Sequence, residues 1–295
     1  MMPLIKIILI TAAGLLFLSS SVLPATGMVE MLNLTGARQV ACGETGALFE
    51  HDPFNLEYNP ATVVGVGKGQ LGFSHNELFQ DRHTDALAMI FPVKNVDFGI
   101  HLRLSGTGDI EARQTATSQP DYIFNAHDFA IKFFSGFSPI PKLKAGLSLG
   151  WLMEKIDRYQ ASGCAVGAGL LYSVSEEMLV HGSVANLGAK FKFRSEENDL
   201  PAIYRIGLGY RRYNGSLAAD YVNVKSGDSH FHLGGEYLLR EILFLRAGYQ
   251  TGYDNRNYSL GAGFMYKIYR IDYAFVPYQS DLGNVHQITL NISLK

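Results

Sequence analysis

The chain has 295 residues, 47% of them hydrophobic and 18% charged, with a formal net charge of −2. The length admits one large or two ordinary domains, and the near-neutral charge argues against nucleic acid or an acidic surface as a partner. The two cysteines, Cys42 and Cys164, are compatible with one disulfide in an oxidising compartment, but nothing in the sequence says whether they meet.

The first element is a leader. Lys6 is the only charged residue before Glu30, and Ile7 to Leu18 is wholly apolar or small. Pro24 then breaks any helix, and Ala25 and Gly27 supply small residues for cleavage. This order of basic, apolar and small regions predicts a secretory signal peptide over 1–27, because a twelve-residue core falls short of the ~20 residues a spanning helix needs. Cys42 lies too far beyond the apolar core for a lipoprotein signal.

Residues 28–68 lack strand alternation. Asp52-Pro53 and Asn59-Pro60 each read as a capping residue followed by proline at the first helical position, seven residues apart, so each opens only a turn or two. Leu48, Phe49, Phe54, Leu56 and Tyr58 are too apolar for a solvated tail. The segment predicts a compact irregular hatch, small enough to sit inside a barrel. "GVGKG" lacks the rest of a phosphate-binding loop and reads as a flexible entry into the first strand.

From about Gly69 to the C-terminus the pattern has period two. In "KLKAGLSLGWL", Leu143, Ala145, Leu147, Leu149 and Trp151 oppose Lys144, Gly146, Ser148 and Gly150. "IYRIGLGYR" repeats the pattern, and the last segment sets Ile288, Leu290, Ile292 and Leu294 against Thr289, Asn291 and Ser293. Fourteen such segments start near Gly69, Thr84, Val96, Ala126, Lys142, Ser162, Met178, Ala202, Gly215, Ser229, Ile242, Asn257, Tyr269 and Val285. Short connections alternate with long polar ones, the longest running from Gly106 to Asn125. That asymmetry is expected of an all-β, transmembrane, antiparallel up-and-down β-barrel over 69–295, with about fourteen strands.

A soluble β-sandwich would show the same alternation, so the aromatics decide. Tyr204, Tyr210, Tyr258, Tyr266, Tyr273 and Trp151 fall at the ends of apolar faces, as in an interfacial girdle. In lipid the sheet must also close, so that every backbone group is paired. Parity then places His101, Arg103, Lys132, Lys144, Arg205, Arg211, Asp220, Glu236, Arg246, Arg270 and Asp272 on the lumen side. Charges paired across strands would close the barrel, whereas charges lining water would make a selective pore, and the sequence does not choose. His230 and His232 share a strand face and could ligate a metal, but they read better as lumen polar residues in a network. No cofactor or metal motif is apparent. Asp228, Ser229 and His230 are adjacent without the spacing logic of a triad, and Glu196-Glu197 reads as a polar loop, so no enzyme is expected.

Three stretches together carry a family resemblance: "DPFNLEYNPATVV", "FSHNELFQDRHTDALAMIFP" and "IDYAFVPYQSDLGNVHQITLNISL". With these segments in this order, the chain resembles the PorV/PorQ family, whose members are similar to FadL-type outer-membrane barrels. The resemblance implies a fourteen-stranded barrel of the bacterial outer membrane with an N-terminal hatch. Asn59, Pro60 and Ala61 would form the hatch turn, and Asp272 to Tyr278 the penultimate strand. It further implies a conduit for a hydrophobic small molecule or, alternatively, an accessory of type IX secretion that binds exported proteins or secretion components; outer-membrane lipid would surround either. The chain departs from the family pattern at Thr62, where a glycine is usual, in "ACGETGALFEHDP", and in its Leu294-Lys295 terminus.

Overall fold

The computed structural model describes residues 34–46, 52–78, 82–188, 191–193, 196–225, 227, 229–279 and 283–294. The expected signal peptide, Leu48, Phe49 and Asp228 lie outside this set. The chain begins with a short helix, α1 (Ala37–Ala41), and two 3-10 turns, Pro53–Glu57 and Pro60–Val63. Both 3-10 turns start as the sequence dictates. Asp52 accepts a hydrogen bond from the Phe54 amide at 3.1 Å, Asn59 accepts one from Ala61 at 2.9 Å, and proline takes the first helical position of each. Helix α1 was not foreseen. It has five residues, its N-cap is Gly36 at φ 99°, and no side chain caps it, so no local signal announces it.

The barrel follows as β1 (Gln70–Glu77), β2 (Arg82–Val93), β3 (Val96–Ala112), β4 (Tyr122–Ile140), β5 (Leu143–Ile156), β6 (Tyr159–Ser173) and β7 (Met178–Gly188). After a small hairpin of β8 (Phe191–Phe193) and β9 (Glu196–Asn198), it resumes with β10 (Ile203–Arg212), β11 (Gly215–Val224) and β12 (Ser229–Leu239). It ends with β13 (Leu243–Gln250), β14 (Tyr258–Tyr266), β15 (Tyr269–Pro277) and β16 (Asn284–Ser293). All the strands except β8 and β9 form one closed antiparallel barrel. Strand β1 closes on β16 from Gln70↔Ser293 to Glu77↔His286, which removes both sheet edges. Each of the fourteen barrel strands begins within four residues of its expected start.

The two ends of the barrel differ. At the end holding Gln70 and Ser293, strands meet in tight turns that place Lys94, Lys142, Tyr213 and Lys267 at positive φ, as short hairpins require of at least one residue. At the other end, β3 to β6 run to 17, 19, 14 and 15 residues, well beyond the ~9–11 that cross a bilayer, and so overhang the barrel. The expected Gly106–Asn125 loop is largely this overhang. Pairing resumes after a bulge at Ile110↔Phe124 and continues to Ala112↔Tyr122. The mixed polarity of that segment hides its strand character from alternation.

The outer face is apolar, with Phe133, Leu147, Leu149, Leu170, Leu217, Phe231, Leu260 and Ile288 each at least half exposed. Exposed tyrosines sit toward the turn end at 210, 237, 266 and 269 and toward the loop end at 204, 249 and 258, forming two belts. Such a surface suits a lipid environment, whereas water would penalise so large a continuous apolar area.

Candidate functional site in the barrel lumen

Residues 34–46 and 52–64 do not sit beside the barrel. Helix α1 packs on β13 to β16, and the 3-10 turns pack on β1 to β6. Ala37, Ala41, Phe54, Leu56, Ala61 and Val63 are fully buried. The lumen is therefore filled at this level by the chain's own N-terminal segment, and its wall chemistry can be read by what holds that segment.

Ion pairs and charge-assisted hydrogen bonds hold it at three places. Glu57 lies 3.5 Å from His101 and 4.0 Å from Arg103 on β3, and 3.4 Å from Lys132 on β4. Thr35 donates its hydroxyl to the same carboxylate at 3.0 Å. Burial alone would raise the Glu57 carboxyl, but the basic groups of His101, Arg103 and Lys132 outweigh burial and hold it well below the usual range. At the second place, Asp220 on β11 accepts from the Gly46 amide at 2.9 Å while pairing with His181 on β7 at 3.1 Å and Arg205 on β10 at 3.0 Å. Arg205 also donates to the Glu44 carbonyl at 2.7 Å. The third is a chain of charges. Arg38 on α1 donates two bonds to Glu236 at 2.8 and 2.6 Å; Glu236 pairs with Arg246 at 2.7 Å, and Arg246 with Asp272 at 2.9 Å. Asp272 binds Arg270 at 2.8 Å, and Arg270 reaches Asp52, the cap of the first 3-10 turn.

Shape does the rest. Gly136, Gly146 and Gly169 are direct cross-strand neighbours on β4, β5 and β6 and form a shelf for the Asn-Pro-Ala turn. A Cβ at 146 would overlap the Pro60 carbonyl and the Ala61 amide, one at 169 would overlap the Asn59 side chain, and one at 136 would lie 2.6 Å from Val63 and Val64. Only glycine allows the backbone of the turn to approach so closely. Thr62 is held here by its own turn, its hydroxyl donating to the Asn59 carbonyl at 2.8 Å.

Of the residues assigned to the lumen by parity, His101, Arg103, Lys132, Arg205, Asp220, His232, Glu236, Arg246 and Asp272 are buried, and Arg270 is mostly so. They are brought together around the insert. Arg211 lies exposed at the turn end of β10, and Lys144 near the turn end of β5 is half-buried, so neither joins the clusters above. His230 and His232 are spent on an aromatic partner near the loop end. His230 stacks on Tyr253 with ring centroids 3.8 Å apart, and His232 hydrogen-bonds the Tyr253 hydroxyl at 3.1 Å. Among the described residues, no three His, Cys, Asp or Glu side chains group to hold a metal. Cys42 and Cys164 do not pair: Cys42 is buried against the Gly235 carbonyl, and Cys164 is exposed on β6. Burial pushes the Cys42 thiol up to about 12, so it is inert at neutral pH.

Sequence reasoning missed the pairing of the insert's own charges with the wall, at Arg38, Glu44 and Glu57 and at Asp52, which was read as a cap alone. The signal was present, since a segment destined for a dry interior must bring partners for any lumen charge. It also missed Asn186. This residue forms a bulge in β7 at φ 59°, accepts from Lys132 at 3.1 Å and donates to the Pro201 carbonyl at 3.4 Å. It thereby links Glu57 through Lys132 to the β7–β10 connection.

No protein-family model matches the chain, and no curated protein matches it. Solved structures do. The toluene transporter TodX of Pseudomonas putida aligns with a TM-score of 0.65 at 13% identity, covering 88% of this chain and 96% of that one. The monoaromatic hydrocarbon channel CymD aligns at 0.67 and 13%, covering 91% and 98%. A FadL homologue of Pseudomonas aeruginosa aligns at 0.64 and 12%, covering 88% and 98%. At these identities the likeness is one of fold, and in fold the chain is a FadL-like barrel.

Proposed function

We propose that the chain is a conduit for hydrophobic compounds across a bacterial outer membrane, in which residues 28–68 act as a hatch. The observation that carries this reading is the way the insert is attached. It meets the wall through ion pairs at Glu57 and Arg38–Glu236 and a hydrogen bond from the Gly46 amide to Asp220, together with backbone seated on glycines, and it has no covalent tie to the wall among the described residues. Such a stopper can leave without unfolding the barrel, whose strand ladder closes independently of it. The fold neighbours support the substrate class, since TodX is a toluene transporter and CymD a monoaromatic hydrocarbon channel. The surrounding partner is outer-membrane lipid, which the apolar outer face and the tyrosine belts fit, and the signal peptide over 1–27 would route the chain there. No catalytic role is assigned.

The test is uptake of labelled toluene by cells with a lipopolysaccharide-coated outer membrane, with and without the chain. Uptake several-fold above the empty control is expected, and a rate equal to the control would sink the conduit. One observation favours a second reading, a PorV/PorQ-like accessory of type IX secretion. The β3–β4 hairpin overhangs the barrel with Tyr122 and Ile123 more than half exposed, a shape suited to holding a protein. Stoichiometric exported proteins or secretion components, co-purified after gentle extraction without any apolar ligand, would replace the first reading with the second.

A further inference from the structure

The inner wall is not uniformly polar. On β4, β5 and β6, Lys132 toward the turn end and the cross-strand pair Asp128↔Glu154 toward the loop end flank a group of five inward positions, Ala130, Leu152, Ala161, Gly163 and Ala165. None carries charge, and all but Leu152 are small. Ala130, Leu152 and Gly163 are direct cross-strand neighbours, so they form one continuous apolar recess. Among the described residues, the buried side chains clustered on it come from the β7–β10 connection and not from the insert. The β7–β10 connection turns back into the barrel, and Phe191 and Leu200 bury themselves against these residues, with Phe191 only 1% exposed. The edge of the Phe191 ring lies 3.1 Å from where a Cβ at 163 would sit, so glycine at that position makes room for the ring.

The element that delivers Phe191 is slight. Strands β8 and β9 share three residue pairs and form a sheet separate from the barrel. A two-stranded hairpin of that size has little stability of its own, so it holds its place largely by what its side chains bury. The recess therefore has the width of one aromatic ring and is filled by a ring from a weakly tethered hairpin. Apolar recesses of this kind stay dry when emptied and accept small aromatic molecules.

We propose that this recess is a binding site for a single aromatic ring, closed by Phe191 as a built-in occupant that the ligand displaces. The inference rests on the conduit reading and names its substrate class and the residues that select it. Phe191 sets the threshold for entry, and Gly163 sets the depth. The site lies on the path between the loop end and the hatch, and the Pro201–Asn186–Lys132–Glu57 chain of contacts joins its cover to the hatch.

The test uses crystals of the full chain equilibrated with bromobenzene vapour and read by bromine anomalous scattering. At a vapour pressure that leaves the wild-type recess empty, Phe191→Ala should show a bromine peak between Ala130, Leu152 and Gly163. Adding Gly163→Leu should abolish that peak. Leu200→Ala serves as the second opening variant should Phe191→Ala not yield a folded barrel. An empty recess in a folded opening variant, or a peak that survives Gly163→Leu, would overturn the proposal. Toluene uptake separates the two claims. A chain that carries toluene with the recess empty keeps the conduit and loses the site, whereas a filled recess in a chain that carries nothing keeps the site and loses the conduit.

Discussion

Two sectors of the inner wall hold the same N-terminal segment by different physics. From β10 to β15 the wall presents Arg205, Asp220, Glu236, Arg246, Arg270 and Asp272, and contact is made by charge. On β5 and β6 the inward positions between Lys144 and Glu154 are uncharged; contact with the segment is made by glycines that admit its backbone, and the small residues farther toward the loop end admit the Phe191 ring instead. The charged sector fixes the insert in one orientation, because an ion pair broken in a dry interior is costly. The neutral sector fixes shape alone, and it is there that an apolar compound would meet no desolvation penalty. On the conduit reading, one barrel would thus separate holding from passage.

The charged sector should be the more sensitive to single substitutions. Asp220→Ala leaves Arg205 and His181 facing each other without their shared carboxylate. It should cost about 3–5 kcal/mol, read as a lowered midpoint in urea unfolding of the detergent-solubilised barrel. In the neutral sector Gly146→Leu should unseat the Asn59–Ala61 turn at a cost of about 1–3 kcal/mol, the usual range for overpacking. Hydrogen exchange should show protection lost over 52–64 while the amides of β10 to β16 keep theirs. Equal loss in both regions would mean that the insert and the barrel are one cooperative unit.

Acid should separate the sectors without mutation. The Glu57 and Glu44 carboxyls are held below their ordinary value, because basic neighbours outweigh the opposing effect of burial. A depressed folded-state pKa means the stabilisation is fully present above the unfolded value near 4.5 and is lost as pH falls through the folded pKa. Proteolysis of the insert should therefore be slow from pH 7 down to about 4.5 and accelerate below it, with Glu57→Gln weakening that dependence and Glu57→Gln together with Glu44→Gln weakening it further. The smallest expected effect is Asn59→Ala. It removes one cap and the bond to the Leu170 carbonyl, for about 1 kcal/mol by the same unfolding measurement.

The barrel was legible in the sequence because each strand carries its own pattern: apolar residues out, polar residues in, and turns between. The caps at Asp52 and Asn59 were legible for the same reason, since a cap is a local event. Three features were not. Helix α1 has no cap of its own and exists because β13 to β16 receive it. The β8–β9 hairpin lies in a stretch read as a polar loop, and Phe191 gains its place only from Ala130, Leu152 and Ala165, residues far away in sequence. The pairing of Glu57 with His101, Arg103 and Lys132 is likewise a tertiary fact. Parity could place the three basic groups on the lumen side but not name what faces them. His181 could have been found by the parity rule, yet β7 alternates too weakly to draw attention to it.

On the conduit reading, the insert must move for a compound to pass. The Ala37 amide donates to the Thr289 hydroxyl at 2.9 Å, so these two positions can be joined. In a chain with Cys42 and Cys164 replaced by alanine, Ala37→Cys with Thr289→Cys should form a disulfide between the insert and β16. Toluene uptake would then be measured before and after reduction. Uptake should fall to the empty-membrane rate when oxidised and recover fully on reduction. Unchanged uptake with the disulfide intact would contradict that requirement.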